Sequence, residues 1–492
     1  MDQTLATRLA EQIERYIENN RDYIISDLQR ILQFQTISGG KTPAERQTWR
    51  DEFHAGFLWL RSLAEASRLK YKNIEDTVCY LEQPADGPTL GVLLHLDVVP
   101  PGEGWTHPPF GGEIADGVIY GRGCQDDKGP IIQCLHALRA IKSLGLPFRR
   151  CVRLIIGSEE ETGVWADVKR YLEVESAPEF SIVPDGAFPV VNGEKGMLDI
   201  RIGKKIEGEE SGPLRLVQVS SGVRSNVVPP LAEIKLRADS PDNMHELSDV
   251  LQQFLQSNPK AKAELSSEGH EATIRFQGKN AHGSMPQEGQ NAARDSLNFL
   301  ATLPLQGPRA EFARLLSSLV AENDGHSMNI ANRHDFIGGT TQSLGILRIE
   351  DSFGEAVINI RHTPPQNTAL VLERVTLAIQ TLSDSADLPE ISFAGKRHEP
   401  LFVDPERYPE YFMAMETAYS IATGRPARRL AMGGTTFAKA FPNAMCFGPT
   451  DAADEQELAH QADERVSIEN HLRNVRIYAL ALALLALDVS GA

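Results

Sequence analysis

The sequence predicts an α/β fold: a mainly parallel, doubly wound domain interrupted by an inserted α+β domain. Three observations predict it. Apolar runs rich in β-branched residues alternate with helically spaced segments in the first part of the chain. After about Lys195 the strands change to apolar–polar alternation, the pattern of a half-exposed antiparallel sheet. From about Pro400 the first texture returns. The boundaries drawn this way are 1–193 and 398–492 for the two parts of the first domain, and 194–397 for the insertion.

In chain order, MDQTLATRLAEQIERYIENN reads as an amphipathic helix. TLGVLLHLDVVP is a buried strand, followed by a Gly/Pro-rich loop. IIQCLHALRAIKSLG has helical spacing and stops at Gly145. CVRLIIGS and FSIVPDG are further strands, with a helix through WADVKRYLE between them. Within the insertion, MLDIRI, LAEIKLRA, ATIRFQG and AVINIRH alternate as strands, and NMHELSDVLQQFLQS and NAARDSLNFLATL read as helices. A helix at RYPEYFMAMETAYSIATG, a short strand at AMCFGP and a long final helix complete the chain.

Composition narrows the function. The 492 residues hold 49 Lys+Arg against 67 Asp+Glu, a net charge of −18. Such an acidic chain is a poor partner for nucleic acid or for an anionic membrane. The five cysteines (Cys79, Cys124, Cys134, Cys151, Cys446) are scattered and form no C-x-x-C spacing, which argues against a disulfide framework or a cysteine zinc knot. The start has no apolar signal-peptide core, and the apolar tail from Ile477 to Leu487 is too short to span a bilayer, so a cytoplasmic protein is expected.

Acidic and imidazole residues fall at the ends of the expected strands. His95 and Asp97 end LLHLD, Asp126 and Asp127 precede a helix, Glu159, Glu160 and Glu161 follow RLIIGS, Asp185 ends SIVPD, and His460 follows the late strand. The carboxyl ends of strands in an open α/β sheet line a common crevice. One carboxylate at such a place is ordinarily a cap or a turn former. Three consecutive glutamates and an Asp pair repel one another unless cations compensate. A donor set of His, Asp and Glu without thiolate suits zinc, or manganese or cobalt in its place. A two-metal centre needs a bridging carboxylate, flanking ligands and a free carboxylate as base. Phosphate loop, dinucleotide fingerprint and serine-hydrolase elbow are all missing from the sequence. Cys124, beside the acidic pair, reads as a packed residue.

Five segments carry a resemblance: HLDVVPPGEGWTHPPFGGEIADGVIYGRGCQDDKG, GSEEETG, VPDGAFPVVNGEKG, GKNAHGSMPQEGQNA and ELAHQADE. Together they resemble the co-catalytic zinc hydrolases that include aminoacylases, desuccinylases, carboxypeptidases and carnosinase-like dipeptidases. The pairing of PDGAFPVVNGEKG with AHGSMPQEG is most similar to the dipeptidase V branch, the Xaa-His dipeptidases. The resemblance implies a catalytic domain with an inserted lid, and two Zn2+ ions, with Mn2+ or Co2+ able to substitute. It implies His95, Asp185 and Asp126 at one zinc, and Glu161, His460 and the same Asp126 at the other. It further implies Glu160 as general base, Asp97 orienting His95, a cis Asp126–Asp127 bond, and His282 at the oxyanion. Arg361 would meet the substrate carboxylate, with Asn226, Gly433 and Gly434 adding contacts.

The implied reaction is hydrolysis of dipeptides by a metal-bridging hydroxide. The alternatives are an N-acyl amino-acid deacylase or desuccinylase using the same centre, and, in another class, a metal-dead binding protein. A small peptide is the expected partner, and the chain is expected to be a monomer or a homodimer. The sequence departs from its relatives at Gln125, where they carry a small residue before the acidic pair, and at Ser343, where an Asn is expected. After Arg361 it reads His-Thr-Pro-Pro, with Pro later than in the relatives.

Overall fold

A strand with apolar side chains on both faces can lie only inside a sheet. In the computed structural model, which describes residues 3–39, 42–383 and 387–489, the strand Thr89–His95 does so. It is flanked in parallel by Cys151–Gly157 and Phe180–Val183, and Ala444–Cys446 pairs in parallel with the latter. Along its main path the order runs Lys70–Ile74, Val78–Gln83, Cys151–Gly157, Thr89–His95, Phe180–Val183, Ala444–Cys446, Val190–Glu194, Leu401–Phe402, and Arg429–Met432 pairs with Val190–Glu194 off that path. The sheet is therefore mixed, with a parallel centre and antiparallel strands toward its sides. The antiparallel pair at one edge has a local cause. Lys70–Ile74 and Val78–Gln83 are joined by only three residues, too few for a parallel crossover, and Glu75 and Asp76 take positive φ in that turn.

The helix Lys128–Ser143 is buried over nearly its whole length and packs on the final helix Ile468–Ala486, whose apolar run Ile477 to Ala486 is also buried. The amphipathic start forms the helix Gln3–Asn19, which buries Ala6, Leu9, Ala10, Ile13 and Ile17. No helix among the described residues is long and apolar enough to cross a membrane. All five cysteines are buried thiols.

The chain divides into two compact units. One comprises Met1–Gly193, Phe402–Leu430 and Thr436–Ala492; the other comprises Glu194–Leu401 and Ala431–Thr435. The second unit is built on an eight-stranded antiparallel sheet. Its order is Lys262–Glu268, Glu271–Gln277, Leu231–Ala238, Leu214–Ser221, Thr341–Ile349, Phe353–His362, Gly196–Lys205, Glu390–His398. Leu231–Ala238 and Glu271–Gln277 alternate buried and exposed positions, as a sheet with one dry face requires. Pro241–Ser257, Ala292–Thr302, Pro308–Leu319 and Thr368–Leu382 are its helices, and side chains such as Phe276, Phe299 and Phe312 fill its core.

One buried contact in the first unit has a pH consequence. The Gln133 amide donates to Nδ1 of the fully buried His471 at 3.0 Å, so the ring is neutral. Burial, with the neighbouring His136, pushes its pKa down to about 3. Below pH about 6.5 the unfolded chain takes up a proton at this position while the folded one does not. Stability is therefore lost as pH falls from about 6.5 toward about 3, at up to about 1.4 kcal/mol per pH unit. Relative to wild type, His471→Gln is expected to gain stability progressively as pH falls from 6.5 to 4.5. Denaturant melts of both proteins across that range check it; a pH-independent difference would contradict it.

Candidate metal centre

The parallel strands of the first unit end where the candidate residues lie. Thr89–His95 closes on the fully buried His95. Its Nδ1 sits 2.9 Å from the main-chain oxygen of Asp97, and its Nε2 lies 2.9 Å from Asp126 Oδ1 and 3.9 Å from Asp185 Oδ1. Asp126 lies just before the helix Lys128–Ser143, and its bond to Asp127 is cis. The other Asp126 oxygen, Oδ2, is 3.0 Å from Nε2 of His460, which in turn lies 2.9 Å from Glu161 Oε1. Two trios result: His95, Asp126, Asp185, and Asp126, Glu161, His460, each with its ligand atoms within 4.8 Å of one another. Asp126 belongs to both and turns one oxygen to each.

Burial and mutual charge shift the titration of the cluster. Burial raises the carboxyl pKa of Asp185, and the charge of Asp126 raises it further. Burial and Asp126 likewise push Glu161 up to about 7. Glu160 is raised well above the carboxylate range by burial, then by Asp185. At Asp126 burial also acts upward, but the facing imidazoles of His460 and His95 outweigh it and hold the carboxyl far below its ordinary range. His460 is raised to about 11 by Asp126 and Glu161.

The residues fit divalent cations. His95 Nε2 and Asp126 Oδ1 are buried and close, yet they are not aligned as donor and acceptor, and neither makes a hydrogen bond. With Asp185 they form a group whose ligand atoms lie within 4.8 Å of one another, close enough to share a cation. The nitrogen and oxygen donors, without thiolate, match zinc and its harder substitutes.

Around the trios, further carboxylates hold the backbone. Asp97 was expected to steer His95; its Oδ1 is 3.4 Å from Nδ1, and the closer partner is its own main-chain oxygen. The Asp97 carboxylate also accepts the amides of Glu160, at 3.1 Å, and Glu161, at 2.9 Å. Asp167, nearly fully buried, accepts those of Ser158 and Glu159 at 2.7 and 3.0 Å. Four successive amides thus point into two carboxylates. Asp127 accepts the His95 amide at 3.0 Å. Asp127 and Asp167 were missed as supporting residues. Asp167 stands in the first turn of the helix Ala166–Val174, where an acid is ordinary, so its sequence position carried no signal.

The other candidates gather in the second unit. His282 Nδ1 accepts the Ser284 amide at 3.2 Å and lies 2.7 Å from Ser284 Oγ. That places the ring proton on Nε2, and burial, with the Arg361 charge, keeps the pKa low and the ring neutral. The main-chain oxygen of Asn226 accepts the Gly283 amide at 2.7 Å. Arg361 is 2% exposed; its Nε donates to Asn359 Oδ1 at 3.0 Å and its Nη1 to the Gly433 carbonyl at 2.8 Å. Burial brings its pKa down to about 10, so it stays charged at neutral pH. A Cβ at Gly433 would come within 2.9 Å of Ser284, so this turn needs glycine to approach the His282 loop. Gly434 follows in the same turn, where a Cβ would meet Met432.

A protein of Bacillus subtilis named "Putative dipeptidase YtjP" is 29% identical over 469 residues, covering 95% of this chain and 98% of that one. A Staphylococcus saprophyticus protein of the same description is 28% identical over 477 residues, covering 96% and 99%. In fold, the chain is similar to human carnosine dipeptidase 1, with TM-score 0.59, 16% identity and 97% and 98% of the two chains covered. It is also similar to aminoacylhistidine dipeptidase from Vibrio alginolyticus, with TM-score 0.57, 14% identity and coverage of 93% and 96%. The sequence pattern of peptidase family M20/M25/M40 matches residues 91–484, a span that takes in both trios, and the chain belongs to that family of metallopeptidases.

Proposed function

We propose that the protein is a dipeptidase that hydrolyses small peptides at a centre of two zinc ions, for which Mn2+ or Co2+ can substitute. The observation that carries this reading is Asp126, one carboxylate presenting an oxygen to each of two His/carboxylate trios. His95, Asp126 and Asp185 would hold one cation; Asp126, Glu161 and His460 would hold the other. Cations in such a centre supply Lewis acidity and make water a stronger acid.

The chain's own groups do the rest. Glu160, placed beside the trios on the turn that Asp97 pins, is the base that takes a proton from the attacking water. It then returns that proton to the leaving amine. Neutral His282 donates from Nε2 to the developing oxyanion. Arg361 binds the terminal carboxylate of the peptide, and Asn226, Gly433 and Gly434 contribute polar and close-approach contacts.

The test is a substrate panel on zinc-loaded protein, with and without chelator: dipeptides, Xaa-His among them, against N-acetyl and N-succinyl amino acids. Chelator-sensitive cleavage of dipeptides is the expected result. Preference for acyl amino acids would make the protein a deacylase, and an absence of bound metal together with an absence of hydrolysis would sink both readings.

The Arg361 assignment makes its own prediction. Loss of a charge-assisted hydrogen bond to a carboxylate costs about 1.5–3 kcal/mol, or about 10–150-fold in kcat/KM. Arg361→Met is expected to show that loss on dipeptides with a free carboxyl end and little of it on the corresponding dipeptide amides. Equal losses on both would remove Arg361 from the carboxylate site.

A further inference from the structure

Gln125 departs from the small residue expected before the acidic pair, and the proposed chemistry leaves it without a role. It is 3% exposed. Its side chain reaches the loop that carries His460 and makes three hydrogen bonds there. Nε2 donates to the carbonyls of Gln456 at 3.0 Å and Arg465 at 3.1 Å, and Oε1 accepts the Leu458 amide at 2.7 Å. A second connection runs the other way. Buried Glu464, from the His460 side, accepts the amides of Gly123, Gln125 and Asp126 at 3.1, 2.9 and 3.3 Å, and pairs with the buried Arg122. The segments bearing Asp126 and His460 are thus laced together by one side chain from each.

The need for such lacing is local. His95 is fully buried at a strand end, whereas His460 is exposed, sits on a loop and has φ of 65°. Its ring is held by no packed strand. What fixes its distance to Asp126 and Glu161 is the path of its loop, and Gln125 grips that loop on both sides of His460, at residues 456 and 458 before it and 465 after it.

We propose that Gln125 is a positioning residue that sets the affinity of the Asp126–Glu161–His460 position for its cation, acting through the His460 loop and leaving the His95 position unaffected. This rests on the two-cation reading above. Partners of this kind typically change metal affinity about 10–100-fold when removed.

The test is calorimetric titration of chelator-stripped, full-length protein with zinc, for wild type, Gln125→Ala and Gln125→Met. Methionine keeps the length and loses the hydrogen bonds. Both variants are expected to bind one equivalent as wild type does and the other about 10–100-fold more weakly. Hydrogen exchange at the Leu458 amide should quicken in both. If both equivalents bind as in wild type, or if Met restores what Ala loses, the positioning role is wrong. If wild type itself binds fewer than two equivalents, it is the two-cation reading that fails.

Discussion

Replacing Glu160 with glutamine is expected to lower kcat about 10²–10⁴-fold while leaving bound metal at the wild-type level, the range a positioned general base contributes. Glutamine preserves the size of the side chain and cannot take a proton. The turn should survive, because Asp97 holds residue 160 through its main-chain amide, not its side chain. Glu161, one residue on, is the contrast. Its Oε1 faces His460 at 2.9 Å, so Glu161→Gln should weaken zinc binding as well as turnover. Metal content measured alongside kcat on a dipeptide separates the two glutamates. A Glu160→Gln protein with wild-type turnover would remove the base.

Asp126→Ala should do more damage than loss of any other single ligand, because it takes a member from both trios at once. The expected protein retains less than one equivalent of zinc after dialysis and loses at least about three orders of magnitude in kcat/KM, since the cations' acidification of water is lost with them. His95→Ala removes a ligand from one trio only and should keep the other cation. Elemental analysis of the two variants side by side decides the point. Equal metal content in both would mean that Asp126 does not bridge.

Much of this was legible in the sequence because strand ends announce themselves. LLHLD, RLIIGS and SIVPD are apolar runs that stop at polar residues, and the parallel sheet gathers those stops in one place. The candidates of the inserted part came through resemblance, since a lone histidine or arginine in a loop or at a strand end carries no periodic signal. The helices Arg21–Leu32 and Pro43–Ala66 and the strands Leu214–Ser221 and Thr341–Ile349 were not read in advance. The helix Pro43–Ala66 has its apolar residues spread among charges, and its capping box at Thr42 and Glu45 was the cue overlooked. The antiparallel edge was hidden for another reason: the turn at Glu75 and Asp76 contains no glycine, and left-handed backbone at ordinary residues is hard to foresee. The supporting role of Asp127 and Asp167 was invisible because what they bind is backbone, and backbone is the same at every position.

That last feature bears on how such a protein can change over generations. The segment from Ser158 to Glu161 takes its shape from the amides it offers to Asp97 and Asp167, and amides are indifferent to the side chains beside them. The Ser158 hydroxyl adds a bond to the Thr77 carbonyl, so the path is fixed mainly, though not only, by those amides. Of the two anchors, Asp97 lies far off in the sequence and Asp167 only a short way on, so the path of this segment is set from both sides of it.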